Sequence, residues 1–165
     1  MSGTNIAVGA QQSNSAENTI NFGDFHQANS APVGIGGFGG PVGAHDIAVG
    51  AQQANHAENT INFGDFSQSN SAPVGIGGFG GPGGAHDIAV GAQQGNSAEN
   101  TINFGDFHQS NSAPVEIGGW GGPGGVHDIA VAAQQVNHAE NTVNFGDFSQ
   151  DNYAPVSIGS FDPWW

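Results

Sequence analysis

Apolar and polar residues alternate along the chain in a pattern that returns every 41 residues. The segment Ile-Ala-Val-Gly-Ala-Gln-Gln begins at Ile6, Ile47 and Ile88, and a fourth copy, with alanine in place of the glycine, begins at Ile129. A fixed period of this length is typical of repeat architectures, in which each copy packs mainly on its neighbours. The sequence therefore predicts a single repeat domain, 1–165, with repeats 6–46, 47–87, 88–128 and 129–165.

Within one repeat, the freely varying positions share one parity, and a set of nearly constant positions two residues apart has the other. This set is even-numbered from Ile6 to Phe22 and odd-numbered from Phe25 to Ile35, so its parity changes at Gly23-Asp24. A period of two indicates a β-strand with one constrained face, whereas a helix has a period of 3.6. We predict two extended arms, joined by a bend in which glycine adopts a positive φ. Because strands rarely exceed about ten residues, the first arm should break near 12–13 or 17–19.

Amides on the constant face favour one fold above others. Buried amides are costly unless they are paired, and identical rungs stacked in register allow each amide to bond to its equivalents above and below. We predict an all-β solenoid of stacked β-arches, in which Phe22 meets Phe25, Asn18 meets Asn29 and Ala16 meets Ala31. Antiparallel hairpins or propeller-like blades are the alternative. The predicted ladder consists of Gln12, Asn14, Asn18, Gln27, Asn29, Gln53, Asn55, Asn59, Gln68, Asn70, Gln94, Asn96, Asn100, Gln109, Asn111, Gln135, Asn137, Asn141, Gln150 and Asn152.

The charge balance limits the partners of this chain. It contains no Lys or Arg and 14 Asp and Glu, for a formal net charge of −14. Nucleic-acid binding depends on basic residues that neutralise phosphates, and anionic lipids attract basic segments, so we expect neither partner. No apolar run reaches the length of about 18 residues that a membrane-spanning helix needs. The first residues lack the basic and apolar regions of a Sec signal peptide.

Stacking in register would also place carboxylates in columns along the solenoid. Like charges one rung apart repel one another, so low pH, added salt or divalent cations should favour assembly. The columns are Asp24, Asp65, Asp106 and Asp147, and Glu17, Glu58, Glu99 and Glu140. Four of the seven histidines, His26, His56, His108 and His138, alternate between copies on the variable parity, which favours surface positions over a metal site.

A glycine-rich segment that ends in His-Asp recurs at 36–46, 77–87 and 118–128. It resembles the calcium-binding repeats of RTX-type rolls, and the resemblance implies a Ca²⁺ site. The other interpretation is a turn whose aspartate caps the next strand, so we predict no cofactor and keep Ca²⁺ as the alternative. His45-Asp46 has no Ser or Thr placed to complete a catalytic triad, and we predict no enzymatic activity. An ice-binding surface would need an array of threonines, and Thr19 is the only one in its repeat.

The motif Gln-x-Asn-x-Ala occurs twice in each repeat, at 12–16 and 27–31 in the first. With the inward amides, it resembles the repeats of curli-type fibre subunits of bacterial biofilms. The resemblance implies a secreted subunit that stacks its rungs into a functional amyloid fibre.

The expected function is therefore a self-assembling structural subunit of an extracellular filament, in a biofilm matrix or at a cell surface, exported without a Sec signal. The expected partner is the protein itself, stacked head to tail by β-strand addition. Four periods of 41 residues and one further residue account for the chain of 165, so copies could follow one another without a phase break. The predicted junction comprises Gly3, Thr4, Asn5, Phe161, Trp164 and Trp165. A secreted calcium-dependent binding or adhesin module is the alternative.

Overall fold

Strands make up nearly all of the regular structure in the described part of the chain. The computed structural model describes residues 4–36, 44–77, 79–80, 87–118, 120–121 and 128–159. The strands are β1 (Thr4–Glu17), β2 (Ile20–Asn21), β3 (Phe25–Ser30), β4 (Val33–Ile35), β5 (Ala44–Glu58), β6 (Ile61–Asn62), β7 (Phe66–Ser71), β8 (Val74–Ile76), β9 (Phe79–Gly80), β10 (Asp87–Glu99), β11 (Ile102–Asn103), β12 (Phe107–Ser112), β13 (Val115–Ile117), β14 (Trp120–Gly121), β15 (Asp128–Glu140), β16 (Val143–Asn144), β17 (Phe148–Tyr153) and β18 (Val156–Ile158).

Equivalent strands of successive repeats pair side by side, parallel and in register. Val8 pairs with Val49, and Val90 pairs with Val131, so the partner lies 41 residues further along the chain. Each repeat is therefore one rung of a β-solenoid, as predicted, and the alternative of antiparallel hairpins is wrong. The sheet orders are β1-β5-β10-β15, β2-β6-β11-β16, β3-β7-β12-β17 and β4-β8-β13-β18, with a two-stranded sheet β9-β14.

The first arm of each rung ends at an asparagine in the left-handed region of the backbone. Strand β1 is continuous, so no break occurs at 12–13, whereas the predicted break at 17–19 is confirmed. Asn18 has a φ of 52°, and Asn59, Asn100 and Asn141 have nearly the same value. Asparagine tolerates this region better than most residues do. The turn also reverses which side chains face the interior over the next four residues.

This reversal corrects the predicted contacts between the arms. Because Ile20 and Phe22 point outward, the predicted pairing of Phe22 with Phe25 is wrong. Asn14, and not Asn18, bonds to Asn29. The bend therefore extends over residues 18–24 and includes the short strand β2. As a result, each residue of the second arm faces a first-arm residue four positions earlier than the predicted one, as Asn29 faces Asn14 in place of Asn18.

The glycine within this bend, Gly23 and its equivalents, has a different role from the predicted one. A Cβ on Gly64 would lie 2.5 Å from the backbone carbon of Gly23 and 2.6 Å from Oδ1 of Asp24. The backbone of the neighbouring rung therefore excludes a side chain there. Positive φ in the bend belongs to the asparagine, and the glycine allows close approach between rungs.

The interior consists of layers that run along the solenoid axis. Ile and Val side chains of both arms form one cluster, which includes Ile47, Val49, Val74 and Ile76. Ala57, Phe66, Ala98 and Phe107 form a second cluster nearer the bend. Amides lie between these clusters, and every buried side-chain nitrogen and oxygen among the described residues has a hydrogen-bond partner. The amides are therefore buried without unsatisfied polar atoms.

Candidate assembly site

The asparagines of the two arms form one continuous chain of hydrogen bonds through the interior. Asn14 Nδ2 donates to Asn29 Oδ1 at 3.0 Å, and Asn29 Nδ2 donates to Asn55 Oδ1 of the next rung at 3.0 Å. The same alternation continues through Asn70, Asn96, Asn111, Asn137 and Asn152. The second arm therefore lies between the first arms of its own rung and of the next one. In every bond of this chain the donor asparagine precedes its acceptor on the way from the first rung to the fourth.

Backbone carbonyls fix the orientation of these amides. Asn29 Nδ2 also donates to the carbonyl of Ala54 at 2.9 Å, and Asn55 Nδ2 donates to that of Ser69 at 2.9 Å. A rotated amide would turn its oxygen towards a carbonyl oxygen and lose both bonds. The direction of the ladder is therefore a property of the fold.

Two glutamine columns run in the opposite direction. Gln53 Nε2 donates to Gln12 Oε1 at 3.0 Å, and Gln94 Nε2 donates to Gln53 Oε1 at 2.8 Å. In the second arm, Gln68 Nε2 donates to Gln27 Oε1 at 2.8 Å. Gln109, Gln135 and Gln150 continue the two columns. In the second and third rungs these glutamines and the asparagines of the same faces are buried, whereas Gln12, Gln150 and Asn152 of the end rungs are exposed.

The column of Asn18 is not part of this ladder, which corrects one part of the predicted site. Asn18, Asn59, Asn100 and Asn141 are exposed at the left-handed turn. A column that the prediction missed takes the interior position in the bend: Asn21 Nδ2 donates to Asn62 Oδ1 at 2.8 Å, and Asn103 and Asn144 continue it. In the bend, residues of both parities are constant between copies, which could have signalled that both faces are constrained there.

The two ends of the four-rung stack present complementary groups. At the first rung, Asn14 Oδ1 and Gln12 Nε2 have no partner among the described residues, and at the fourth rung the same holds for Asn152 Nδ2 and Gln135 Oε1. The free acceptor of Asn14 therefore matches the free donor of Asn152, and the free donor of Gln12 matches the free acceptor of Gln135. The cause is the single direction of each ladder.

The interior is open at the fourth rung. Phe148 is 50% exposed, whereas its equivalent Phe107 in the third rung is 1% exposed. Val156 and Ile158 are about as exposed as Phe148, and their third-rung equivalents are buried. The end strands also carry backbone N–H and C=O groups that face away from the stack, and such edges are templates for pairing with another chain.

The aspartate column is stabilised by the backbone of adjacent rungs. Asp24 Oδ1 accepts a hydrogen bond from the Asp65 N–H at 3.1 Å, and Asp65 Oδ1 accepts one from the Asp106 N–H at 3.0 Å. Stacking thus brings these carboxylates close together but also gives a donor to each one that has a following rung. The repulsion predicted for this column is partly offset by these bonds.

Histidines lie beside glutamates in alternate rungs. His56 Nε2 is 3.7 Å from Glu58, and His138 Nε2 is 3.3 Å from Glu140. No group of three or more His, Asp or Glu side chains among the described residues is placed to hold a metal ion. Most of the glycine-rich segments suggested as Ca²⁺ sites lie outside the described residues.

Most of the predicted junction also lies outside the described residues, namely Gly3, Phe161, Trp164 and Trp165. The backbone of Thr4 pairs with Ala44, and the register shifts between Thr4 and Ile6, so Asn5 has no partner in β5. The role of these residues in a junction stays a prediction.

These features define the class of the protein as a repeat β-solenoid, with one 41-residue repeat per rung and an interior amide ladder that has a direction. Comparison of the chain with protein-family models, with curated proteins and with solved structures gives no match. The described residues contain no helix long and apolar enough to cross a membrane.

Proposed function

We propose that this chain is a self-assembling structural subunit whose copies stack end to end into a filament. The single observation that carries the proposal is the complementarity of the two ends of the stack. A following copy placed one rung above the fourth would bring its Asn14 Oδ1 to the Asn152 Nδ2 of the preceding copy. Its Gln12 Nε2 would meet Gln135 Oε1.

The energetics support this arrangement. Phe148, Val156 and Ile158 would become buried as their third-rung equivalents are, and each half-exposed side chain would contribute about 1 kcal/mol. The edge strands would gain backbone hydrogen bonds along the whole rung. Because the two ends differ, the contact is heterologous and does not close on itself, and open filaments are its natural product.

The setting of the filament belongs to the same proposal. The twofold Gln-x-Asn-x-Ala motif and its likeness to curli-type subunits favour an extracellular fibre in a biofilm matrix or at a cell surface. Two copies of a chain without Lys or Arg cannot form Lys or Arg salt bridges with each other, so the chain suits a polymer held together by hydrogen bonds and apolar packing. Fractionation of cells that express the protein tests this setting: the protein should be found in the extracellular or cell-surface fraction.

Electron microscopy of the purified chain, together with one variant, tests the assembly. The parent should form long unbranched filaments, with a repeat of about 4.8 Å along the fibre axis in X-ray diffraction. Phe148→Asp should leave a β-rich monomer, because Phe148 is half exposed in the single copy. It should stop elongation, because the charge would be buried in the filament.

Ser157→Asp is the matched control, since it places the same charge on an exposed position of the same rung, whose third-rung equivalent is already Glu116. It should form filaments as the parent does. A parent that stays monomeric at all concentrations would overturn the proposal and favour the soluble binding module. Normal filaments from Phe148→Asp would show that the fourth-rung end is not the contact.

A further inference from the structure

A stripe of apolar side chains runs along the outside of the solenoid at the bend. We name this surface the phenyl stripe, and it consists of Phe22, Phe63, Phe104 and Phe145 with the neighbouring Ile20, Ile61, Ile102 and Val143. Successive phenyl rings are stacked, with centroids 4.9–5.0 Å apart and planes within 6° of parallel. Even in the inner rungs these rings are close to half exposed.

Exposed phenylalanines are unusual in a fold whose interior can hold a column of stacked phenyl rings. The buried column Phe25, Phe66, Phe107 and Phe148 shows that the interior accommodates stacked phenyl rings. The left-handed turn at Asn18 instead directs Thr19 and Asn21 inward and the apolar residues outward. Contiguous apolar patches of several hundred Å² on a protein surface mark interaction sites.

We propose that the phenyl stripe is the lateral interface between two filaments of this protein, so its occupant is the phenyl stripe of a second copy. This inference rests on the proposed end-to-end assembly. Identical side chains at an identical spacing can interdigitate as a dry zipper between paired stacks. Another filament of the same chain presents a stripe with the same 41-residue repeat along its whole length.

The area of the stripe explains why stable pairing needs filaments. It exposes roughly 700 Å² per copy if a phenylalanine presents about 200 Å², whereas a specific interface buries about 800 Å² per partner. Two single copies that buried the whole stripe would reach about 1,400 Å² in total, in the lower part of the range of about 1,200–2,000 Å² for specific interfaces, so their dimer would be weak. In two filaments the buried area multiplies with the number of stacked copies, so pairing should follow elongation.

Acidic columns border the stripe on both sides, and they set the conditions for pairing. The Glu17 column lies before Ile20 in the rung, and the Asp24 column lies after Phe22. Asp24 and Asp65 are hydrogen-bonded to the backbone of the next rung, and Glu58 and Glu140 each have a histidine within 4 Å. Repulsion between the acidic columns of two filaments is screened by salt, so pairs should be more frequent at about 0.1 M salt than at about 0.01 M.

The test is the fraction of filaments that run in pairs in electron micrographs. The variant Phe22→Ser, Phe63→Ser, Phe104→Ser and Phe145→Ser should still form filaments, with the paired fraction reduced by at least about tenfold. The matched control replaces four outward residues on the other face, Gln11→Ser, Gln52→Ser, Gln93→Ser and Gln134→Ser, and should pair as the parent does. An alternate-rung variant, Phe22→Ser with Phe104→Ser, covers the case in which the fourfold variant does not fold, and it should show an intermediate fraction.

Each other outcome counts against the inference. Parent filaments that stay single at 0.1 M salt would overturn it, and so would phenyl-stripe variants that pair as often as the parent. Either result would leave the end-to-end stacking intact, because the filaments themselves would still be present. A parent without filaments would overturn both the proposed function and this inference. Stable dimers of the monomeric Phe148→Asp variant in sedimentation would contradict the argument from area.

Discussion

Phe104 and Phe107 lie three residues apart, and both are phenylalanine in all four repeats. Both belong to columns of parallel stacked rings at nearly the same spacing, 4.9 Å for Phe104 and 4.8 Å for Phe107. Yet Phe104 is 45% exposed and Phe107 is 1% exposed. Constancy between copies therefore reports stacking along the axis, and it does not report burial.

The difference arises because stacking and burial are separate requirements. An outward column can be constrained by the stacking of its own equivalents, as the Phe104 column is, although other outward positions, such as that of Ser13, vary between copies. Inward residues are constrained in addition by the opposite arm. Phe107, for example, packs against alanines of the first arm, whereas Phe104 has contacts mainly along its own column.

The largest predicted effect separates these two phenylalanines directly. Phe107→Ala should lower the free energy of unfolding by about 3–5 kcal/mol, because it leaves a cavity in a fully packed layer. Phe104→Ala, the matched control, should lower it by no more than about 1 kcal/mol, because half of its surface is already in water. Denaturant unfolding followed by circular dichroism measures both. Equal losses would mean that the outward column is as buried as the inward one.

A second, smaller contrast concerns two asparagines of the second rung. Asn70→Leu should cost at least about 2 kcal/mol, because it leaves several ladder amides without partners. Asn59→Leu should cost about 1–2 kcal/mol through the left-handed backbone alone. Substitution by glycine separates backbone strain from lost hydrogen bonds, because glycine adopts a positive φ without strain but has no amide. Asn59→Gly should therefore be nearly silent, whereas Asn70→Gly should remain as destabilising as Asn70→Leu.

The denaturation midpoints of these four variants test that contrast. Ser69→Asp serves as a further control, since the equivalent position in the fourth rung is already Asp151, and it should be close to silent. A large loss of stability in Asn59→Gly would show that the Asn59 column belongs to the interior ladder.

The smallest predicted effect concerns Asp65, whose charge and hydrogen bond contribute separately to the free energy of unfolding. Asp65→Asn keeps an acceptor for the Asp106 N–H and should change the free energy of unfolding by less than about 0.5 kcal/mol, whereas Asp65→Ala removes the bond and should cost about 1 kcal/mol. Added salt should stabilise the parent more than Asp65→Asn, because one repelling charge is gone from the column. Unfolding in about 0.01 M and 0.5 M salt measures this, and equal salt responses would show that the column does not repel.

The sequence by itself determined the rung and its register. A period of 41 without insertions is typical of stacked repeats, and alternation with a period of two indicates strands, although hairpins or propeller-like blades could have the same period. The interior amides at 12, 14, 27 and 29 follow from that alternation, since only stacked partners could satisfy them. The break before Thr19 could be predicted because a strand of seventeen residues is longer than strands usually are.

Only the tertiary structure decided the path of the bend and the alignment of the arms. A residue with positive φ reverses the parity of the side chains that follow it, and no local pattern records such a reversal when residues of both parities are constant. Asn18 therefore resembled a ladder residue, and Asn21 did not. The opposite arm selects which of them is buried, because the Phe25 column and the Asn29 column must fit against Ala16 and Asn14, and that fit exists only once the chain has folded back on itself.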